Sequence, residues 1–396
     1  MKQLEQLLGI SSREFFSIYH EQKHLLVPSA SSSGFNDALE LSDIETYLAT
    51  VPMHHGQVVL VNHNRRPWAD QFLKVENDYV TGNVIDIRKL MNLLRNDTTA
   101  ILGDMSKYIP KLNRYCERLE DELGVKLQAN IYITPPKSQG FNVHIDSHDV
   151  FVLQLFGKKT WHLYEGMVEY PTKSLIREQK KFSAEEHKLA AQLELRPGDL
   201  LYVPQGMYHD ASTHDDPSIH ITLGLLPRRR SEILKMLSEG VKDHDFFRRP
   251  VPGNLKDQSI KEAFFKEFKE ACHQLIDEAD LSILLEEFSH QFTARQSPDL
   301  KGTLSSILSA DQLKPDSQLQ RKPQIRYWLE EETWFTVVHF YNEKVQVPKP
   351  ITGVLEVILG KAPFSPAEIS SDLGDQVKLD LVKKFVVTGF LSIVKL

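Results

Sequence analysis

Short β-rich runs fill residues 125–227 and constrain the fold more than any other feature. They read VKLQANIYITP, HDVFVLQLFGKKTWHLY, AAQLELRPGDLLYVPQGMYHDAST and SIHITLGLLP, and Gly and Pro turns separate them. Strands at this spacing, with no long helix between them, are typical of a β-sandwich or barrel. We therefore predict a sheet structure of this kind at the centre of the chain.

Helical patterns precede this β-rich part. Apolar residues recur at helical spacing in residues 1–27 and again in residues 87–123, where Gly124 is suited to a C-cap. Two strands are predicted between these helical stretches, in GQVVLVN and VTGNVIDI. Small polar residues predict a loop at 29–37, and the Lys- and Glu-rich residues 171–190 predict a surface insertion.

Helical patterns also follow the β-rich part. Residues 230–295 form amphipathic runs with little Gly or Pro, whose apolar positions could fill their own core or the seam of a dimer. Residues 364–396 have the helix, helix and hairpin order of a winged-helix module. The predicted fold class is α+β, with domains at 1–228, 229–298 and 299–396.

Composition indicates a globular protein of two or three domains. The chain has 396 residues, of which 41% are hydrophobic and 26% charged. Its net charge of -7 argues against a nucleic-acid binder held by phosphate contacts.

The cysteines and the hydropathy pattern predict the cellular compartment of the protein. Cys116 and Cys272 lie far apart without CxxC spacing, which predicts a reducing compartment and excludes a cysteine-based zinc or iron-sulfur site. No apolar run approaches the roughly 18 residues that span a bilayer, and the N-terminus lacks the pattern of a signal peptide. We expect a cytoplasmic protein that does not enter a membrane.

The triplet HID carries the strongest chemical signal. On a strand, His144 and Asp146 would point to the same side, so that an imidazole and a carboxylate could bind one atom. The best candidate for a third ligand is His209, which follows a Pro and Gly turn in YVPQGMYHD. Two histidines and one carboxylate form the facial triad of non-haem Fe(II) oxygenases, and zinc is the competing metal.

A lysine in an apolar strand supports a binding cavity. If strand alternation holds through LQLFGKKTW, Lys159 shares an inward face with Phe151 and Leu153, and Lys158 points outward. A buried lysine needs an anionic partner, which the distal carboxylate of a dicarboxylic cosubstrate would supply. The alternative is that both lysines lie in a solvated turn.

Two further strand pairs could line the same cavity. Asn130 and Tyr132 are two positions apart in ANIYITPP, and His220 and Thr222 are two apart in IHITLG. Polar groups on one face of a β-branched strand indicate either a polar pocket or an ordinary solvent face.

Other polar residues of the β-rich part compete for these roles. His148, His162 and His214 are alternative metal ligands; His148 has the strand parity of a residue that supports the ligands, and His214 lies in a turn. Asp149 and His162 have no assigned role.

The segments NIYITPPKSQGFNVHIDSHDVFVLQLFGKKTWHLY, LRPGDLLYVPQGMYHDA and IHITLGL closely resemble the JmjC-type ribosomal oxygenases of the cupin superfamily. These are Fe(II)- and 2-oxoglutarate-dependent protein hydroxylases. The resemblance implies a double-stranded β-helix (jelly-roll or cupin) core with N-terminal helices, followed by a helical dimerisation region and a C-terminal winged-helix-like domain.

The resemblance also implies roles, position by position. The iron ligands of the family fall on His144, Asp146 and His209, and the residue that anchors the cosubstrate falls on Lys159. Asn130, Tyr132 and Thr222 match positions that contact the cosubstrate or line its pocket, with His220 beside them.

The implied activity is hydroxylation of a histidine or arginine side chain of a protein, most directly a ribosomal protein. The alternatives are a peptide hydroxylase in a biosynthetic pathway, a non-catalytic cupin scaffold and a zinc-dependent cupin such as an isomerase. The implied partners are a protein or peptide substrate and a second copy of the chain, and no direct binding to DNA is expected.

Overall fold

The computed structural model describes residues 3–29, 35, 37–74, 83–178, 187–298, 301–369 and 372–396. The chain divides into two compact units, Met1–Pro227 and Arg228–Leu396. The further division of the second unit into a helical region and a winged-helix-like domain stays a prediction. Parts of the predicted loop 29–37 and of the predicted insertion 171–190 lie outside the described residues.

The first unit combines short helices with many strands. Its helices are α1 (Gln3–Leu8), α2 (Ser12–Glu14, continued by a π-helical turn at Phe15–Tyr19), α3 (Leu41–Thr50), α4 (Ile87–Arg95), α5 (Pro110–Leu123) and α6 (Lys173–Glu178). Its strands are β1 (Leu25–Val27), β2 (Val58–Val61), β3 (Leu73–Lys74), β4 (Val84–Ile85), β5 (Thr99–Leu102), β6 (Lys126–Thr134), β7 (Asp149–Gly157), β8 (Lys159–Met167), β9 (Leu189–Leu195), β10 (Leu200–Val203), β11 (Met207–Ser212) and β12 (Ser218–Leu226).

Capping residues explain where the helices before the β-rich part begin and end. Asp86 precedes α4, and its carboxylate accepts the backbone N–H groups of Arg88 and Lys89. Pro110 begins α5, where its missing N–H costs nothing, and Gly124 ends α5 in a left-handed conformation. The predicted C-cap at Gly124 is therefore confirmed.

Ten strands of the first unit form two antiparallel sheets with a core between them, and β3 and β4 pair separately. One sheet has seven strands in the order β1-β10-β7-β12-β6-β5-β2, and the other has three in the order β11-β8-β9. Side chains from both sheets meet in one apolar cluster, which includes Val152 of β7 and Leu163 of β8. The sandwich or barrel predicted from the β-rich runs is confirmed.

The opposite face of the large sheet packs against the N-terminal helices. Phe151 and Leu153 of β7 belong to this second, larger core, together with Leu4 of α1 and Leu119 of α5. Each of these side chains is almost completely buried, and burial of one such side chain stabilises the fold by ~1.5–3 kcal/mol.

The sequence pattern missed strand β5, and also β1 within the helical stretch 1–27. A helical pattern was expected in two runs of residues 87–123, but between them Thr99–Leu102 forms β5 and pairs with β2 and β6. All four side chains of β5 are buried. A short apolar run buried on both faces has no two-residue alternation, so periodicity cannot separate it from a helix segment.

Gly157 turns the chain from β7 into β8. Its φ is +62°, and an added Cβ would lie 1.7 Å from the carbonyl oxygen of Pro217. We expect the Gly157→Ala variant to lose ~3 kcal/mol in free energy of unfolding, because both the backbone and the neighbouring carbonyl must shift. Urea denaturation measures the loss. The Gly56→Ala variant is the matched control, since nothing lies within 4 Å of its added Cβ. Equal stability of the two variants would contradict the expectation.

The second unit begins with helices and ends in a mixed α/β region. Its helices are α7 (Arg230–Glu239), α8 (Asp245–Arg248), α9 (Gln258–Glu278), α10 (Leu281–Ala294), α11 (Thr303–Ser309), α12 (Leu355–Ile358) and α13 (Asp375–Val387). Its strands are β13 (Gln318–Arg321), β14 (Trp328–Glu331), β15 (Phe335–Phe340), β16 (Glu343–Pro348) and β17 (Leu391–Lys395). The helical segment predicted at 230–295 is confirmed. Among the described residues, no helix combines the length and the apolar character needed to cross a bilayer.

The pairing of β17 corrects the order predicted for residues 364–396. A hairpin was expected at the end of that stretch, but β17 pairs with β13, which lies far upstream. Consecutive strands of this unit pair instead in the three-stranded sheet β14-β15-β16, and the turn between β15 and β16 places Tyr341 and Asn342 at positive φ. Long-range strand pairing is not visible in a local pattern, which explains the error.

Candidate functional site

His144, Asp146 and His209 lie together at one edge of the space between the two sheets. One ligand atom from each lies within 4.8 Å of the others, and Nε2 of His209 is 3.6 Å from Oδ2 of Asp146. The three residues that the sequence singled out as metal ligands are therefore brought together by the fold.

Backbone hydrogen bonds hold the two histidines opposite each other. His144 donates its N–H to the carbonyl of His209 at 3.0 Å, and His209 returns the bond at 2.9 Å. This pairing is an isolated bridge, so the HID triplet is not part of a regular strand as the sequence suggested. The ligands converge because the segment before β7 pairs with β11 at His144 and His209.

The Pro and Gly turn before β11 places His209. Gly206 has a φ of +78°, and an added Cβ would lie 1.9 Å from the carbonyl oxygen of Val168, so only glycine fits there. Its N–H donates to the carbonyl of Asp146 at 2.9 Å. The turn thus ties the segment of one ligand to the segment of another, as its composition predicted.

Both imidazole rings are oriented through the nitrogen that faces away from the site. Nδ1 of His144 lies 2.9 Å from the carbonyl oxygen of Asn142, and Nδ1 of His209 lies 2.9 Å from that of Met207. When Nδ1 donates to a carbonyl, the Nε2 lone pair is left for a metal ion.

Electrostatics favour a neutral His209 beside an ionised Asp146. Burial lowers the pKa of His209 to about 4, and His144 acts in the same direction. Burial alone would raise the pKa of Asp146, but the neighbouring His209 and His144 outweigh it and lower the pKa. Neutral imidazole and carboxylate are the forms that bind metal ions.

A cavity extends from these three residues into the space between the sheets. Lys159, Tyr132, His220 and Thr222 line it, together with Trp161. Asn130 is not among its lining residues; its Oδ1 instead accepts the backbone N–H of Asp104 at 3.1 Å. The cavity therefore gathers four of the five predicted pocket residues.

Lys159 is buried, with 4% of its side chain exposed. Its Nζ donates to Oγ1 of Thr134 at 3.0 Å and lies 5.9 Å from the centre of the Tyr132 ring. Burial lowers the pKa of Lys159 to about 7. The solvated-turn alternative is wrong for Lys159 but holds for Lys158, which is exposed and lies 3.1 Å from Asp216.

The predicted neighbours of Lys159 were wrong. Val150 and Val152 line the cavity, whereas Phe151 and Leu153 face the other core. The turn at Gly157 interrupts the alternation, so side-chain parity does not carry over from β7 to β8.

Tyr132 and His220 stack in the cavity, with ring centroids 4.7 Å apart and planes 13° apart. Burial, assisted by the charge of Asp146, raises the pKa of Tyr132 above its usual range. Burial and then Lys159 lower the pKa of His220 well below its usual value. Both rings are therefore neutral near pH 7, and within the described part of the chain the buried Nδ1 of His220 has no hydrogen-bond partner.

Sequence reasoning missed several lining residues. Trp161 is 6% exposed and stacks 5.9 Å from the ring of His209; its spacing of two from Lys159 on β8 could have revealed it. Thr99 lies on the missed strand β5, so no signal pointed to it.

The competing histidines do not join the three ligands. Among the described residues, the metal-ligand group contains neither His148, His162 nor His214. His162 lies on β8 with its Nδ1 2.9 Å from Oδ1 of Asp210, and Tyr164 donates to the other oxygen at 2.8 Å. This cluster links β8 to β11 next to His209.

Asp149 belongs to a second cluster. A carboxylate oxygen of Asp149 lies within 4.8 Å of a ring nitrogen of His20 and of a carboxylate oxygen of Glu21. Its Oδ1 accepts the backbone N–H of Gln205 at 2.7 Å. Nε2 of His20 is 3.4 Å from Oδ2 of Asp149. The cluster links the N-terminal segment to the start of β7.

The model of the JmjC domain family matches residues 102–233, which include the candidate ligands and the cavity. The chain is 32% identical over 224 residues to a protein of Drosophila persimilis named bifunctional lysine-specific demethylase and histidyl-hydroxylase NO66. It is 29% identical over 222 residues to ribosomal oxygenase 2 of Bos taurus. These matches cover 56% and 54% of the chain but only 31% and 45% of the relatives, so the chain matches less than half of their length.

Solved structures agree with this relation at the level of the fold. The structure of YcfD, a ribosomal oxygenase from Escherichia coli in complex with cobalt and 2-oxoglutarate, has a TM-score of 0.54 to this chain at 14% identity. The match covers 98% of this chain and 99% of that one. The JmjC form of the cupin fold is thereby confirmed, and residues 102–233 match the JmjC domain and are similar to proteins named ribosomal oxygenase.

Proposed function

We propose that this protein is an Fe(II)- and 2-oxoglutarate-dependent oxygenase that hydroxylates a side chain of a protein. The observation that carries the proposal is the convergence of His144, Asp146 and His209 on one point, with Lys159 buried in the same cavity. Two imidazoles and one carboxylate fit Fe(II) and leave coordination positions free. Bound iron, with 2-oxoglutarate and dioxygen, would supply the oxidising chemistry.

The chain itself would position the cosubstrate and exclude water. The Lys159 ammonium and the hydroxyl group of Thr134 offer hydrogen-bond donors to a distal carboxylate. Tyr132, His220 and Thr222 would hold the molecule from the side. The buried Nδ1 of His220 has no partner among the described side chains and would gain one from a bound ligand.

The affinity for 2-oxoglutarate is expected to fall as the pH rises. Because the pKa of Lys159 is about 7, the ammonium form is present below pH 7 and can bind an anion directly. Above pH 7 the amine must first take up a proton, which weakens binding by up to ~10-fold per pH unit. Calorimetry of the Mn(II)-loaded protein from about pH 6 to about pH 9 measures this. The Lys159→Met variant is the control and should lack this dependence. An affinity that stays constant or rises with pH in the unmodified protein would contradict the assignment.

The substrate is proposed to be a histidine or arginine side chain of a ribosomal protein. The names of the relatives, which include histidyl-hydroxylase and ribosomal oxygenase, support this class. Mass spectrometry of ribosomal proteins from cells with and without the chain should show a gain of one oxygen atom on one protein. A gain on a peptide product instead would favour the biosynthetic alternative.

We also propose that the helical region at 229–298 forms a dimer. Helices α9 and α10 expose large apolar side chains, including Phe265, Leu281 and Ile283, each more than half exposed. Exposed apolar surface of this kind is typical of an interface. Sedimentation of the whole chain would show a dimer, and a monomer at micromolar concentration would contradict the proposal.

Turnover separates an oxygenase from its competitors. Protein reconstituted with Fe(II) without oxygen should form succinate from 2-oxoglutarate only after air is admitted. A zinc-dependent cupin would keep its activity without oxygen. A scaffold would form no succinate and show no rise in Tm with Mn(II) and 2-oxoglutarate.

A further inference from the structure

A second, open cavity adjoins the candidate metal centre. We call it the arginine cleft; it is lined by Asn62, His63, Arg65, Arg66, Trp68 and Asn142, among others. Residues that are consecutive in the sequence form the wall between the two cavities. Thr98 and Asn142 line the arginine cleft, whereas Thr99 and Phe141 line the cavity of the metal centre. At both places, residues that are adjacent in the sequence line different cavities.

The turn that carries the arginines is fixed by backbone hydrogen bonds. Asn62 and Arg65 exchange two such bonds, at 2.9 and 2.8 Å. His63 donates its N–H to Gln139 at 2.8 Å, and the next residue along the turn donates to Gly140 at 2.9 Å. The cleft therefore has a pre-formed wall, attached to the segment that leads to His144.

Asn142 connects the cleft to the metal centre. Its backbone N–H donates to Oδ1 of Asn64 in the turn at 3.1 Å. Its carbonyl oxygen lies 2.9 Å from Nδ1 of His144 and so orients that ring. A molecule bound in the cleft would contact a residue that also holds a candidate ligand.

The side chains of the cleft indicate what it binds. Trp68 is 80% exposed, and Arg65 and Arg66 are exposed without an ion-pair partner among the described residues. Guanidinium groups bind carboxylates in paired hydrogen bonds, and Trp and Arg dominate the energies of protein interfaces.

We propose that the arginine cleft binds an acidic stretch of the substrate protein, close in sequence to the side chain held at the metal centre. The inference rests on the proposed function, because the substrate is then a polypeptide and a chain that leaves the metal cavity enters the cleft. Arg65 and Arg66 bind carboxylates of that stretch, and Trp68 packs against its backbone and apolar side chains. The cleft thus selects substrates with acidic residues beside the hydroxylated position.

Binding of labelled peptides tests this without turnover. The protein is loaded with Mn(II) and N-oxalylglycine, an unreactive analogue of 2-oxoglutarate. The probes are fluorescein-labelled Gly/Ser peptides with a central His or Arg, flanked by Glu, Gln or Lys, and a single-stranded RNA. We expect the Glu peptides to bind about tenfold more tightly than the Gln peptides, and the difference to shrink at high salt.

Matched variants locate the effect. The double variant Arg65→Gln/Arg66→Gln should bind the Glu peptides no better than the Gln peptides, whereas Arg248→Gln/Arg249→Gln, another pair of exposed neighbours, should keep the preference. Trp68→Ala should weaken binding of every peptide. Trp334→Ala, whose side chain is 75% exposed in the second unit, should not.

Equal binding of Glu and Gln peptides would overturn the proposal, and so would an unchanged preference for Glu peptides in the Arg65→Gln/Arg66→Gln variant. The third contrary result is RNA that binds the unmodified protein more tightly than any peptide does and no longer binds this variant. Succinate formation is measured in parallel. A preference for Glu peptides without succinate formation would support the arginine cleft and contradict the proposed oxygenase activity. Succinate formation without that preference would support the oxygenase activity and contradict the proposed role of the cleft.

Discussion

The Asp146→Ala variant is expected to lose 2-oxoglutarate turnover by on the order of 10³-fold or more. The carboxylate is the only anionic member of the three ligands, and its loss leaves two imidazoles to hold a divalent cation. The variant should also lose most of its affinity for Mn(II), measured by electron paramagnetic resonance of the free ion. Both readouts must change together, because the metal is required for the reaction.

The control is Asp216→Ala, which removes an exposed carboxylate of the same unit that pairs with Lys158. This variant should keep turnover and Mn(II) affinity. The His144→Ala variant should behave like Asp146→Ala. Undiminished turnover in either ligand variant would remove the triad from the mechanism.

The Lys159→Met variant is expected to bind 2-oxoglutarate more weakly while the folded protein becomes more stable. Its Kd for 2-oxoglutarate should rise at least ~100-fold, because a buried anion that loses its cationic partner costs ~3–5 kcal/mol. The protein itself should become more stable. The pKa of Lys159 falls from 10.5 to about 7 on folding. Burial of this amine therefore lowers the free energy of unfolding at every pH below 10.5, and the loss is largest below pH 7. Since one pKa unit corresponds to ~1.4 kcal/mol, we expect a gain of ~2 kcal/mol or more in the free energy of unfolding.

Calorimetry and urea denaturation near pH 7 measure the two effects. Lys158→Met is the matched control; its lysine is exposed, so neither quantity should change. A Lys159→Met variant that keeps its cosubstrate affinity would contradict the assigned anchor. One that becomes less stable would show that the lysine has a structural role instead.

The sequence predicted which candidate ligands come together better than it predicted their surroundings. His144, Asp146 and His209 could be named in advance as a candidate group because residue type and chain order limit which side chains could bind one metal ion. The burial of Lys159 was also predicted, since a lone cation in an apolar strand has few explanations. The neighbours of Lys159 were predicted wrongly, because the turn at Gly157 breaks the alternation of side chains between β7 and β8.

The remaining errors share one physical cause. Strand β5 carries no alternation, and the partner of β17 lies far along the chain, so neither is fixed by local pattern. Asn130 has the parity of a pocket residue, but Asp104, brought close by the fold, engages its side-chain oxygen. The arginine cleft likewise depends on backbone bonds between distant segments, which no motif encodes.

The most direct test of the account is the mass of the succinate formed under isotopically labelled dioxygen. An oxygenase of this class splits dioxygen between its two products, so the succinate from Fe(II)-loaded protein should carry one labelled oxygen atom, and the hydroxylated side chain the other. Succinate that carries no label, or no succinate at all from protein that binds Fe(II), would contradict the proposed function.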